Sequence, residues 1–251
     1  CLVDEPLKKH TTYGIGGPAD LMIFPKSKKD LISVIEIINE NKTNVTILGS
    51  GSNILVSDNG IRGAVISLKK SLNEVRLNEN ILYAECGAML GKIVRLAVKN
   101  NLIGLENLNG VPGTLGGALI MNAGAWGGEI SENLINVELI NSKNELKKVP
   151  KKDINFSYRN SSFNNNDILL SAEFNLKKAK KDLIKENFSK AQIGRTSSQP
   201  LDKRSAGSLF KNPKNNSAGK LLDDAGLKGH SIGGAKISEK HANFFINEGH
   251  A

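Results

Sequence analysis

The sequence predicts an α+β protein built from two units, and three observations carry that reading. Amphipathic helical stretches alternate with short β-branched runs through the first hundred residues; strand-like runs joined by polar connections follow between 136 and 174; and the composition shifts toward Ser, Gly, Lys and Asn after Arg195. With 251 residues and 39% hydrophobic content, the chain suits one large domain or two modest ones. A compact body of this mass exposes roughly 11,000 Å² against about 39,000 Å² for the open chain, so a substantial core is expected.

The elements follow in order. DLMIFPKS (20–27) reads as a strand ending at Pro25, and Ser27 with Asp30 gives a capping-box-like start to a helix carrying Leu31, Val34, Ile35 and Ile38 on one face. Val45 to Leu48 reads as a buried strand running into Gly49-Ser50-Gly51-Ser52-Asn53, after which Ile54, Leu55 and Val56 resume an extended pattern. Further strands are expected at Ala64 to Ser67 and Ile81 to Cys86, with a helix from Met89 to Asn100 through Leu90, Val94 and Ala97 or Val98. NVELINS (136–142) and DILLSAEF (167–174) read as antiparallel strands, with KKVPKK (147–152) and NSSFNNND (160–167) as polar connections. A helix from about Lys181 to Ile193, a short one at Ala218 to Ala225 and a strand at Asn243 to Asn247 complete the pattern. The domain boundary is expected near residue 176, and the lysine runs KKAKK and KKVPKK read as solvated faces.

Composition excludes several classes. Cys1 and Cys86 are the only cysteines, so a disulfide framework is not available, and neither has metal-ligand spacing. His10, His230, His241 and His250 show no paired-ligand spacing, so no metal is expected; His241 reads as a strand-entry residue and Cys86 as a small buried hydrophobe. No apolar run is long enough to span a bilayer and the first residues lack a signal-peptide pattern, which gives the expectation of a soluble, cytoplasmic protein. A formal charge of +9 favours anionic partners, either nucleic acid or a phosphorylated small molecule. Aromatic content of 5%, with no basic segment interleaved with stacking residues, weighs against nucleic acid.

Four segments carry candidate chemistry. Gly49 to Asn53 fails the dinucleotide fingerprint, because position 54 is Ile and no helix follows; it suits an anion-binding concavity of backbone amides or an ordinary tight turn. Eight of the 25 glycines fall between 104 and 128, where Pro112 stiffens a path with few side chains to block a ligand. That stretch suits a diphosphate or a flat ring, or close helix packing. In Phe156 to Ser161, Arg159 offers a bidentate fork for a carboxylate, or is a surface Arg. In Arg204 to Pro213, Gly207 leaves Ser208 open and Lys211 and Asn212 suit phosphate or amide groups. No G-x-S-x-G elbow surrounds Ser208, so it is a candidate proton donor or a turn serine rather than an acyl-transfer nucleophile.

Taken in order, T-T-Y-G-I-G-G-P-A (11–19), I-L-G-S-G-S-N-I-L-V (47–56), G-V-P-G-T-L-G-G-A with N-A-G-A-W-G (110–127), Y-R-N-S (158–161), S-A-G-S-L-F-K-N-P (205–213), A-G-K-L-L-D-D-A-G-L-K-G (218–229) and K-H-A-N-F (240–244) resemble the flavin-dependent UDP-N-acetylenolpyruvoylglucosamine reductases of bacterial cell-wall synthesis, in their shorter type without an extra substrate-lid insertion. The resemblance implies an FAD-binding domain of the vanillyl-alcohol-oxidase (PCMH) type over 1–176, in two subdomains split near residue 70, followed by an α+β substrate-binding domain over 177–251. It implies FAD and NADPH as cofactors and a UDP-sugar substrate whose enolpyruvyl group is reduced to give UDP-N-acetylmuramate. A monomer acting in peptidoglycan synthesis, without nucleic-acid or membrane partners, goes with it.

Carried over residue by residue, the resemblance makes Arg159 and Ser208 catalytic. It assigns Tyr158, Lys211 and Asn212 to the substrate, and Gly49, Ser50, Gly51, Ser52, Asn53, Gly113, Thr114, Gly117, Asn122, Ala123, Gly124 and Ala125 to FAD. The family's third catalytic group, a glutamate after the K-H-A-N-F region, has no counterpart, since Glu248 lies too close to that motif. The expectation is therefore a sequence cut short at both ends, with a non-catalytic FAD- or nucleotide-binding module as the alternative to an active reductase.

Overall fold

The computed structural model describes residues 1–249 and 251; of the four histidines, His250 lies outside the described residues. Strands β1 (Leu2–Pro6), β2 (Pro18–Ile23), β3 (Val45–Leu48) and β4 (Ile61–Ser67) form a four-stranded sheet in the order β1-β2-β4-β3. β4 pairs in parallel with β2 and β3, whereas β1 is antiparallel to β2. Helix α1 (Lys28–Glu40) is capped as its sequence predicts, Ser27 Oγ accepting from the Asp30 amide at 3.1 Å, while the Asp30 carboxylate reaches back to the Lys26 amide at 2.7 Å. Its Leu31, Ile35 and Ile38 are buried between Ala64 and Ile66 of the first sheet and Ile140, Ile168 and Leu170 of a second one. Each such side chain contributes roughly 1.5–3 kcal/mol. One helix face thus joins the two sheets.

Three readings of this region are corrected. β3 is an edge strand paired only with β4, and only Leu48 is buried, because the apolar run has a neighbour on one side. Residues 54–56 form no strand, and Leu55 faces solvent. β2 also ends at Ile23, before Pro25, which has no N–H to extend a ladder.

The second sheet is antiparallel and five-stranded, with β5 (Val75–Asn78), β6 (Ile81–Glu85), β7 (Leu134–Ile140), β8 (Leu146–Pro150) and β9 (Ile168–Asn175) in the order β8-β7-β9-β6-β5. β7 and β9 are the expected antiparallel pair. β8 corrects the reading of KKVPKK as a connection: an edge strand can carry lysines, whose side chains stay in solvent as the charge pattern predicts. β5 is not legible in the sequence because it is short: VRLN alternates, but over only 4 residues. Helix α2 (Leu90–Lys99) buries Leu90, Ile93, Val94 and Ala97 against this sheet, where Leu82, Val137 and Phe174 form the floor. Cys86 is in the same core, and burial pushes its thiol pKa well up, so it packs as an apolar side chain.

After β9, helix α4 (Lys181–Ser198; α3 is the short helix Leu115–Ile120) runs five residues beyond Ile193. Gly194 explains the shortfall of the sequence reading: a mid-helix glycine costs roughly 1 kcal/mol. Here a Cβ would meet the Trp126 ring at 2.3 Å, so the missing side chain makes room for the indole. Helix α5 (Ala218–Asp224) and a three-stranded antiparallel sheet of β10 (Ser231–Ile232), β11 (Ala235–Ile237) and β12 (Phe245–Asn247) complete the chain. Among the described residues, no helix is long and apolar enough to cross a membrane, and no group of three or more His, Cys, Asp or Glu could hold a metal ion.

Candidate active site

The predicted site residues gather into two clusters bridged by α3. In the first, the loop after β3 lies against Pro112-Gly113-Thr114. Ser52 Oγ donates to the Pro112 carbonyl at 3.3 Å, Ser50 Oγ donates to Ser52 Oγ at 3.0 Å, and a Cβ on Gly49 would strike Thr114 Oγ1 at 2.5 Å. Gly51 is pinned from the other side, its carbonyl accepting from the Thr12 amide at 3.0 Å and from Thr12 Oγ1 at 3.2 Å. Among the described residues, the amides of Ser50 to Asn53 have no main-chain acceptor. Turn amides left free in this way favour an anion.

The opposite wall is bare. A Cβ on Gly113 would meet only Ser52 Oγ at 3.5 Å, and one on Gly117 only Thr114 Oγ1 at 3.9 Å. Side chains there would fill the space in front of the backbone, and glycine keeps it open for a flat ring or a diphosphate.

Gly51 has φ +66°, and a Cβ on it would sit 2.0 Å from the His10 carbonyl oxygen and 2.8 Å from Thr11 Cα. Both obstacles are backbone, so Gly51→Ala must displace the loop. That strain should cost about 1–3 kcal/mol of stability, which thermal melting of the variant measures.

The second cluster forms where α3 ends. Asn122 (φ +40°) is fully buried, and its Nδ2 donates to Glu129 Oε2 at 2.7 Å and to the Ser157 carbonyl at 3.2 Å. Its side chain is turned inward, so what it presents outward is main chain. Gly124-Ala125 pairs with Gly128-Glu129 in a hairpin, and Arg159 Nη2 donates to the Gly124 carbonyl at 2.7 Å. Arg159 also lies 5.0 Å from the Tyr158 ring centre. Among the described residues it forms no ion pair, so its remaining N–H groups and its charge are available to an incoming anion.

The C-terminal segment is laced to both halves of the molecule. The Asn212 amide donates to the Tyr158 hydroxyl at 3.4 Å, and Asn212 Oδ1 accepts from the Ala218 amide at 3.0 Å. Asn247 Nδ2 donates to the Tyr13 carbonyl at 2.8 Å, and burial raises the pKa of the Tyr13 phenol, which is bonded to the Ala206 backbone. Ser208 is exposed after Gly207 (φ +80°) and bridges Phe244, while Asn243 fixes the next two residues, its carbonyl taking the Leu209 amide and its Oδ1 the Phe210 amide, each at 2.9 Å. β12 begins two residues later than its sequence suggests because the chain is still in a turn there, the Phe244 amide donating to the His241 carbonyl at 2.9 Å. His241 accepts from the Asn243 amide at 3.1 Å, and burial lowers its pKa, which favours the neutral ring.

The structure therefore brings Tyr158, Arg159, Asn122, Ala123, Gly124, Ala125 and Asn212 together, and Gly49 to Asn53 with Gly113, Thr114 and Gly117. Ser208 and Lys211 are exposed on the segment that carries Asn212, and among the described residues neither is tied to the Arg159 cluster: Ser208 bridges Phe244 instead. Sequence reasoning missed Glu129, Asn243 and the supporting loop at Thr12 and Tyr13. An acid closing a glycine cluster, and an Asn flanked by phenylalanine at a strand entry, were the available signals.

Comparison with known proteins gives this geometry its context. A family model described as FAD binding domain matches residues 19–149, and one described as UDP-N-acetylenolpyruvoylglucosamine reductase, C-terminal domain, matches 199–251. Similar proteins include the UDP-N-acetylenolpyruvoylglucosamine reductases of Caldanaerobacter subterraneus subsp. tengcongensis, 44% identical over 99% of this chain and 82% of the relative, and of Caldicellulosiruptor bescii, 46% identical over 100% and 80%. The crystal structure of UDP-N-acetylenolpyruvylglucosamine reductase from Thermus caldophilus superposes with TM-score 0.89 at 34% identity, covering 98% of this chain and 88% of that one. A cholesterol oxidase from Brevibacterium sterolicum shares the fold alone, with TM-score 0.50 at 14% identity over 67% of this chain and 36% of its own.

Proposed function

Because this chain belongs to the UDP-N-acetylenolpyruvoylglucosamine reductase family, we infer that its two clusters are the cofactor and substrate halves of one reductive site. It is an FAD-containing oxidoreductase that uses NADPH to reduce the enolpyruvyl group of UDP-N-acetylglucosamine enolpyruvate to UDP-N-acetylmuramate, in peptidoglycan precursor synthesis. The bare glycine wall and the unpaired turn amides fit a flavin dinucleotide, whose ring and diphosphate need exposed backbone on one side and donors on the other. We assign FAD to Gly49 to Asn53, Gly113, Thr114, Gly117 and the main chain of Asn122 to Ala125.

FAD held there would supply hydride transfer between NADPH and the methylene carbon of the enolpyruvyl group. Negative charge then develops on the adjacent carbon and carboxylate. Arg159 is assigned to that carboxylate, because its charge is permanent and its guanidinium is already oriented through Gly124. Ser208 is assigned to protonate the adjacent carbon, completing addition of hydride and proton across the double bond. Tyr158, Lys211 and Asn212 are assigned to the nucleotide sugar, whose polyanionic character the +9 charge suits. We place the domain boundary near residue 176 and the split within the flavin domain near residue 70, and the reaction in the cytoplasm, carried out by a monomer on soluble nucleotides without nucleic-acid or membrane partners.

The observation that carries the site assignment is the unpaired Arg159 held one short helix away from the open glycine wall. Anaerobic addition of NADPH to the FAD-loaded protein should bleach the flavin band, and the enolpyruvyl UDP-sugar should restore it. Bleaching without restoration would leave only a cofactor-binding module.

A further inference from the structure

Three residues other than glycine adopt left-handed φ in the second cluster: Asn122 at +40°, Trp126 at +52° and Arg159 at +53°. Such conformations cost roughly 1–3 kcal/mol each and persist only where their surroundings enforce them. For Arg159 the enforcement can be traced. The turn that carries it is clamped on both sides to the exit of α3: the Ser157 carbonyl accepts from Asn122 Nδ2 at 3.2 Å, and Ser161 Oγ donates to the Ile120 carbonyl at 2.7 Å.

Asn122 is itself held by Glu129. Its Nδ2 faces two acceptors, Glu129 Oε2 at 2.7 Å and the Ser157 carbonyl, which fixes the orientation of the amide and leaves Oδ1 buried without a partner. Of the two acceptors, the Glu129 oxygen is the nearer and so fixes the amide most directly. The hairpin returns Glu129 to the same place, pairing it with Gly124, whose carbonyl accepts from Arg159. A Cβ on Gly124 would lie 3.0 Å from Glu129 Cγ and 3.1 Å from Arg159 Nη1, so the acid's stem and the guanidinium flank one glycine.

We propose that Glu129 and Asn122 are positioning residues for Arg159: the carboxylate holds the buried amide, the amide holds the Ser157 carbonyl, and the fixed turn aims the guanidinium. Neither residue touches the reacting atoms. Glu129 secures the turn without forming an ion pair with Arg159, so the fork stays free for substrate. The proposal rests on the assignment of Arg159 to the substrate carboxylate.

The test uses the FAD-loaded protein carrying Glu129→Ala, Glu129→Asp or Glu129→Gln beside Arg159→Lys, with flavin reduction by NADPH and reoxidation by the enolpyruvyl substrate followed separately. Misplacing a charge by an ångström slows reaction by about a hundredfold, so Glu129→Ala should slow reoxidation by about ten- to a hundredfold. The loss should fall in kcat rather than KM, with flavin reduction and FAD retention near those of the parent. Glu129→Gln still offers an oxygen to Asn122 Nδ2 and should recover most of the rate. Glu129→Asp, one methylene shorter, should be intermediate and carries the test if the alanine variant does not fold. Wild-type reoxidation in Glu129→Asp or Glu129→Ala, with Arg159→Lys slow, overturns the positioning role while the Arg159 assignment stands. Equal loss in both half-reactions, without rescue by Gln, overturns it in favour of a merely structural acid. Unchanged reoxidation in Arg159→Lys overturns the assignment itself, and the positioning role with it.

Discussion

Arg159→Lys should leave the flavin reducible by NADPH while slowing its reoxidation by the enolpyruvyl substrate about a hundredfold or more, the usual cost of losing a donor aimed at developing charge. The charge survives this substitution, so the loss isolates geometry. Arg159 spends one N–H on the Gly124 carbonyl, at 2.7 Å, and that bond orients the rest of a planar fork toward open space. An ammonium on a flexible stem can satisfy either the carbonyl or a carboxylate oxygen, without presenting two parallel donors to one carboxylate. Stopped-flow traces of the two half-reactions give the result directly. A wild-type reoxidation rate would return Arg159 to the role of a surface cation.

Ser208→Ala should produce the same asymmetry for a different reason. It removes a proton rather than a charge, and loss of a positioned proton donor costs about a hundred- to ten-thousandfold. The backbone around Ser208 does not depend on its hydroxyl: the bridge to Phe244 and the three bonds to Asn243 hold residues 208 to 210 by main chain and by the Asn243 side-chain amide. Stability should therefore change by no more than about 0.5 kcal/mol, as for an ordinary surface substitution. Thermal melting and FAD retention at parental values, combined with slow reoxidation, support the proton-donor role; parental reoxidation excludes it.

The parts of the fold that could be read from sequence are those whose signals are local. Helix α1 announces itself through Ser27, Asp30 and a 3.6-residue apolar period, and its boundaries follow. β8 and β3 are not legible locally, because exposure at a sheet edge depends on which strands lie beside them, and that is set by distant pairing rather than by LKKVP or VTIL themselves. Gly194 hid the last turn of α4, since the reason for a glycine there is a tryptophan 68 positions earlier in the chain.

The site shows the same division. Gly49 to Asn53 and the glycines after Gly110 could be found from composition, because an open backbone requires missing side chains in the local sequence. Glu129 could not. Its contact to Asn122 spans seven positions, and the onward contact to Ser157 spans 35, so its role exists only after the chain has closed on itself. Asn122 was visible within N-A-G-A-W-G, yet nothing in that string tells that its amide turns into the protein.

The contact between Trp126 and Gly194 has an optical consequence. Trp126 is the chain's sole tryptophan, it is half exposed, and it occupies the tip of the hairpin whose base holds Arg159. All indole emission from this protein therefore originates at one place, between that hairpin and α4. A flavin is an energy acceptor for indole light, so a single unlabelled fluorophore reports both the seating of the helix and the filling of the cofactor cleft.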